Sequence, residues 1–145
     1  MNTELKYLFS VKHPREGFVD AALMAFRIMI AFALFRTHGL KKIADFESTL
    51  VHIPDPFGIG GLASTCVAIF VNVGLAGFVA LGFLTRLSAV GILSLTLSGL
   101  FLVHFNDPWP VKDVPLIYSI AYTLVLFLGP GTYSMDHLIS EKLKK

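Results

Sequence analysis

Apolar residues fill four long runs of this chain, over approximately 18–38, 61–84, 87–104 and 114–129, and the polar positions gather between them. Each run approaches the roughly 17–25 residues that a membrane-spanning helix needs. The first run is not uniformly apolar. At about 100° per residue, Asp20, Arg27 and His38 fall within about 20° of one another, so one polar face lies on an otherwise greasy helix. Arg27 sits near the middle of that run, where an arginine costs about 2.5–3.5 kcal/mol on insertion scales, so groups inside the protein must satisfy it. Arg36 points the opposite way near the helix end, where its stem can snorkel.

The same patterning predicts the connections. TRLS at 85–88 allows only a tight turn, which makes the second and third helices antiparallel neighbours. Residues 39–60 form the long connection. Its middle, KKIADFESTLVHI, has apolar residues at helical spacing and predicts a short helix on the outer surface, before PDPFGIGG turns the chain back. Pro14 and Gly17 mark a break ahead of the membrane, Asp113 is placed to cap the fourth helix with Pro115 in its first turn, and Gly129 with Pro130 ends it. Ser134 can N-cap a short amphipathic tail helix carrying Met135, Leu138, Ile139 and Leu143 on one side. Asn72, Ala76 and Ala80 on the second helix, and Ser94, Ser98 and Gly99 on the third, are small enough for close helix contact. The expected fold is all-α: a single domain over 1–145, an integral membrane antiparallel four-helix bundle with a short outer-surface helix and a C-terminal amphipathic helix.

Composition agrees. Of 145 residues, 54% are hydrophobic and 15% charged, with a mean hydropathy of +0.70, far from soluble usage. The lead MNTELKYLFSVKHPREG has no short apolar core with a cleavage site, so the first helix is expected to be an uncleaved anchor in the plasma (inner) membrane. Lys6, Lys12, Arg15, Arg86, Lys142, Lys144 and Lys145 lie on the face of the termini, against Arg36, Lys41, Lys42 and Lys112 opposite; the positive-inside rule places the termini in the cytoplasm. The net charge of +2 is spread over juxtamembrane positions, which excludes a nucleic-acid partner and leaves the lipid bilayer as the expected one. Cys66 stands alone, so neither an internal disulfide nor a CxxC pair is available, and it is expected to be a small buried apolar residue.

Two constellations carry chemistry. At mid-depth, Arg27, Asn72, Thr96 and Tyr122 fall at one level of the four helices and predict a buried hydrogen-bonded polar cluster, with Asn72 as the best partner for Arg27. At the outer end, His38, Lys41, Lys42, His104 and Asp113 predict a polar pocket. Two histidines on facing helices are compatible with a quinone; haem is less favoured, and no metal site is assigned. GIGG at 58–61 lacks the strand and spacing of a phosphate-binding fingerprint, and no self-contained catalytic motif appears, so any enzymatic role is at most that of an oxidoreductase subunit.

The arginine of the first helix followed by HGLKK, then LGFLTRLSA, then GPGTYSMD, resembles the DoxX family of small four-helix membrane proteins from about Arg27 to Asp136. The positions that match are Arg27, His38, Gly39, Lys42, Gly82, Thr85, Arg86, Gly129, Pro130, Gly131, Ser134 and Asp136. One departure stands out: the family often carries a glutamate ten residues before the glycine of LGFLTR, where this chain has Asn72. The resemblance implies a membrane component of redox systems, since relatives are linked to thiosulfate–quinone oxidation and to oxidative-stress complexes. It therefore points to an accessory or quinone-associated subunit with an oxidoreductase partner. The alternative is a non-redox small-molecule carrier or membrane assembly factor with a polar cleft between helices.

Overall fold

The computed structural model describes residues 16–143. Lys6, Lys12, Pro14, Arg15, Lys144 and Lys145, which bear on the expected orientation and the N-terminal break, lie outside the described residues. Among the described residues there are four helices long and apolar enough to cross a membrane, Gly17–Ala44, Gly61–Leu81, Thr85–Val103 and Trp109–Leu128. The first comprises α1 (Glu16–Leu34), a π-helical stretch (Phe35–Gly39) and α2 (Leu40–Ala44). After α3 (Phe46–His52), the second span is α4 (Gly61–Ile69), a π stretch (Phe70–Leu75) and α5 (Ala76–Leu81). The third is α6 (Thr85–Ser98) with a π stretch (Gly99–Val103), the fourth is α7 (Trp109–Leu128), and α8 (Met135–Leu143) closes the description. Each span packs on the next in chain order and the fourth returns to the first, which makes an antiparallel four-helix bundle.

Small residues let these helices approach. The core is built from Ala31, Leu34, Val71, Ala76, Val79, Ala89, Ile92, Leu93, Tyr122 and Val125, while Met29, Phe32, Phe70, Ile117, Ile120 and Phe127 point away from the bundle. An apolar exterior running around all four helices far exceeds the few hundred Å² a soluble monomer shows, and a bilayer is the solvent that covers it. We call the end of the bundle bearing Glu16, the turn at 82–84 and α8 the near end, and the end bearing residues 45–60 and 104–108 the far end.

Several boundaries differ from the sequence pattern. Gly17 lies inside α1, since glycine at a helix start carries little penalty and the apolar run continues across it. The first span continues six residues past His38, because Gly39 does not break it. Gly39 is instead a contact point: a Cβ there would lie 2.9 Å from Val73 Cγ2 and 3.0 Å from the Asn72 carbonyl oxygen. The fourth helix starts at Trp109, with Pro108 extended before it and Pro110 in its first turn, so Asp113 does not cap it and Pro115 lies in its interior. Cys66 is exposed on the bundle exterior, not buried. Ser134 does cap α8, its Oγ accepting from the His137 N–H at 3.2 Å.

Candidate functional site

The near end is tied together by the two glycine-bearing segments. α5 ends in a Schellman turn: Gly82 is left-handed at φ +69°, Phe83 N–H donates to the Phe78 carbonyl, and the two phenylalanine rings pack edge to face at 5.2 Å. The Asp136 carboxylate then accepts from the Leu84 N–H (2.8 Å), the Thr85 N–H (2.9 Å) and the Thr85 hydroxyl (2.8 Å), capping α6 from the start of α8. These bonds hold Leu84 in its left-handed conformation, φ +44°. Asp20 accepts from the Thr132 N–H and hydroxyl, which fastens α1 to the same segment.

Arg27 belongs to this near-end assembly. Fully buried, it donates through Nη1 to the Val79 carbonyl at 3.2 Å and through Nη2 to the Tyr133 carbonyl at 2.7 Å, while Nε has no partner among the described residues. None of these bonds goes to Asn72, Thr96 or Tyr122, so the expected four-residue cluster is not formed as one unit. The reason is register: the first span extends to Ala44, which sets Arg27 nearer the N-terminal end of its helix than the apolar run suggests. Tyr122 is buried in the core with its hydroxyl unpaired among the described residues.

Asn72 and Thr96 sit instead at the base of a far-end cavity of about 350 Å³. Its other lining groups include Leu34, His38 and Lys42 from the first span, Tyr118 and Pro115 from the fourth, and His104 at the rim. From Gly61 to Asn72 the helix rise is about 16 Å, so the cavity reaches deep into the bundle. The close approach of Gly39 to the Asn72 backbone brings His38 to the level of Asn72. All three π-helical stretches contribute lining residues: His38, Asn72, and Gly99 with Val103. Such π segments re-aim side chains and recur at functional sites.

The polar groups of the cavity are differently satisfied. Ser119 Oγ lies 2.7 Å from the Pro115 carbonyl and 2.9 Å from Thr96 Oγ1, its single hydrogen shared between these two acceptors, while the Thr96 hydroxyl donates to the Leu93 carbonyl. The His38 ring packs edge to face on Tyr118 at 5.6 Å, and the Tyr118 hydroxyl lies 3.2 Å from Thr37 Oγ1. Lys42 Nζ donates to the His38 carbonyl at 3.3 Å, and no carboxylate pairs with it among the described residues. Asn72, only 3% exposed, makes no side-chain hydrogen bond with a described residue and presents its amide to the cavity. Of the five residues expected at this end, His38, Lys42 and His104 line the cavity, whereas Lys41 and Asp113 are exposed and do not.

Two acidic groups at the far end escape a reading by spacing. Asp107 accepts from His104 Nδ1 at 2.7 Å, fixing that imidazole at the rim. Asp55 accepts from the Ile59 N–H (3.0 Å), the Gly60 N–H (2.7 Å) and Ser64 Oγ (2.9 Å), which folds residues 53–60 over the cavity, where Ile53, Pro54, Pro56, Phe57 and Ile59 join its lining. Those donors, the Gly60 N–H first, hold the Asp55 carboxyl below its ordinary value of 3.8. The signal was the PDPFGIGG string itself, an Asp between prolines followed by glycines able to turn their N–H groups back onto it.

Comparison with known proteins places this architecture. The DoxX family model matches residues 22–105, a stretch that holds Arg27, His38, Gly39, Lys42, Asn72, Gly82 and Thr85. Inner membrane protein YqjF of Escherichia coli is 29% identical over 127 residues, covering 85% of this chain and 95% of that protein. No solved structure matches.

Proposed function

Because the chain belongs to the DoxX family, we propose that it is a multi-pass inner-membrane protein whose far-end cavity binds a small membrane-soluble molecule of the quinone class, as an accessory subunit of a redox system. The observation that carries this reading is the Asn72 amide, nearly fully buried, unpaired by described residues and lining an otherwise largely apolar chamber. This amide opens onto the chamber, where a ligand carbonyl can accept from it, a bond worth a net of about 0.5–1.5 kcal/mol. A volume near 350 Å³ lies within the range of small-molecule sites, and the edge of the His38 ring and the Lys42 ammonium offer further donors to a second carbonyl. With Asn72 in place of glutamate, the base of the cavity holds its ligand without taking up a proton, and the imidazoles of His38 and His104 add hydrogen-bonding groups to its lining. With the termini in the cytoplasm, the chamber faces the outer side of the membrane.

Purified protein in lipid nanodiscs, titrated with a short-chain quinone and followed by tyrosine and tryptophan quenching, tests the reading. Saturable binding that weakens at least tenfold in Asn72→Leu supports it. Binding unchanged by Asn72→Leu removes the cavity from consideration, and a non-quinone lipid recovered by mass spectrometry of the purified protein favours the carrier alternative.

A further inference from the structure

We infer that the far-end cavity selects an anionic ligand: a lipid-soluble molecule with a flat apolar body and one acidic group ionised at neutral pH, an enolate, phenolate or carboxylate, seated against Lys42. The inference rests on the reading of this cavity as a small-molecule site and names the charge of its occupant.

The argument starts from Lys42. It is half-buried in the cavity wall, one helical turn above His38, and its single hydrogen bond among the described residues is a long one, 3.3 Å to a main-chain carbonyl. An ammonium has three donors, so two are left without a partner among the described residues, on a side chain that lines the chamber. The acidic side chains of this end are turned elsewhere: Asp107 is engaged by His104, Asp55 by the residues 59–64 backbone and hydroxyl, and Asp45, Glu47 and Asp113 are exposed outside the lining. Lys41 adds a second positive charge beside it at the surface. The chamber that Lys42 lines is largely apolar, Leu34, Val67, Ala68, Leu95 and Val114 among its walls, and in such surroundings a cation attracts a counter-charge more strongly than it does in water. Asn72 lies below, so an elongated ligand meets an ammonium toward the top and an amide at the base. A neutral ligand satisfies the amide but leaves the ammonium without its counter-charge.

Two probes of one skeleton separate charge from shape: naphthoquinone, which is neutral, and lawsone, its hydroxylated derivative, which is an anion at neutral pH. Titrated into the intact protein in nanodiscs of uncharged lipid, lawsone is expected to bind at least tenfold tighter than naphthoquinone. Lys42→Gln is expected to abolish that ratio, Lys42→Arg to keep it, and Lys112→Gln, at the same end but outside the cavity, to leave it as in wild type. Equal affinity of wild type for the two probes overturns the inference and leaves the quinone reading standing. Failure of both probes to bind overturns both. A ratio that survives in Lys42→Gln assigns the charge preference to another group and also overturns the inference; if Lys42→Gln does not fold, the wild-type ratio and Lys42→Arg decide.

Discussion

Arg27 and Tyr133 are joined by a 2.7 Å hydrogen bond from Nη2 to the main-chain carbonyl, across 106 residues of chain. With the second bond to the Val79 carbonyl, the guanidinium is clamped between the end of α5 and the loop before α8, and Gly82 beside it has no room for a Cβ. Two buried charge-assisted bonds to carbonyls are at stake, so Arg27→Leu is expected to lower stability by on the order of 3 kcal/mol. Asn72→Leu, which breaks no bond to Arg27, is expected to change it by less than about 1 kcal/mol. Thermal unfolding of the detergent-solubilised variants measures both, and an Asn72→Leu loss equal to that of Arg27→Leu would show that the two residues depend on each other after all.

Gly39 seats the first span on the second at the level of the cavity base. Because one of the atoms a Cβ would crowd is the Asn72 backbone oxygen, which cannot swing aside, Gly39→Ala should force the helices apart. We expect a loss of about 1–3 kcal/mol, the usual range for overpacking, together with weaker ligand binding as Asn72 and His38 separate. A Gly39→Ala protein with wild-type melting temperature and quinone affinity would mean the contact is slack.

The four spans were legible in the chain because each is a long apolar run bounded by prolines, glycines and charges, and the cap on α8 because Ser134 stands immediately before an amphipathic repeat. Depth was less legible. Nothing in the run ending at His38 shows that the helix continues through a glycine, yet that continuation moves Arg27 toward the near end and draws His38 down to Asn72. The π stretches were hidden for a related reason: an extra residue in a helical turn has no composition of its own, and it rotates every later side chain by a fraction of a turn. Partners such as Tyr133 and Asp136 were invisible as partners because main-chain carbonyls and long-range caps leave no spacing to read.

Placement of the termini in the cytoplasm has a direct test. In a Cys66→Ala background, an impermeant maleimide applied to intact cells is expected to label Asn106→Cys, in the far-end turn before α7, and to spare Ser140→Cys on α8 until the membrane is opened. The reverse pattern would put the cavity on the cytoplasmic side, and its ligand would then have to come from there.

Asp55 governs whether the cavity is covered. Its carboxylate is the acceptor for three donors that fold residues 53–60, and those bonds depress its pKa below 3.8 in the folded protein. A depressed carboxyl contributes stability that is fully present above its unfolded-state pKa and is lost as pH falls through the lower folded value. At neutral pH the cover is therefore closed, and acidification as far as the ordinary carboxylate range leaves it closed; only below that range do the Ile59 and Gly60 amides lose their acceptor. Hydrogen–deuterium exchange, expressed as protection relative to the free peptide, should show these two amides protected across neutral and mildly acid pH in the wild type. In Asp55→Asn the single amide oxygen cannot accept from the donors that two carboxylate oxygens hold, and protection should fall at every pH. Helical amides of α4 beyond Ser64 serve as the internal reference. Unchanged protection in Asp55→Asn would mean that packing of Ile53, Phe57 and Ile59 closes the chamber without the carboxylate.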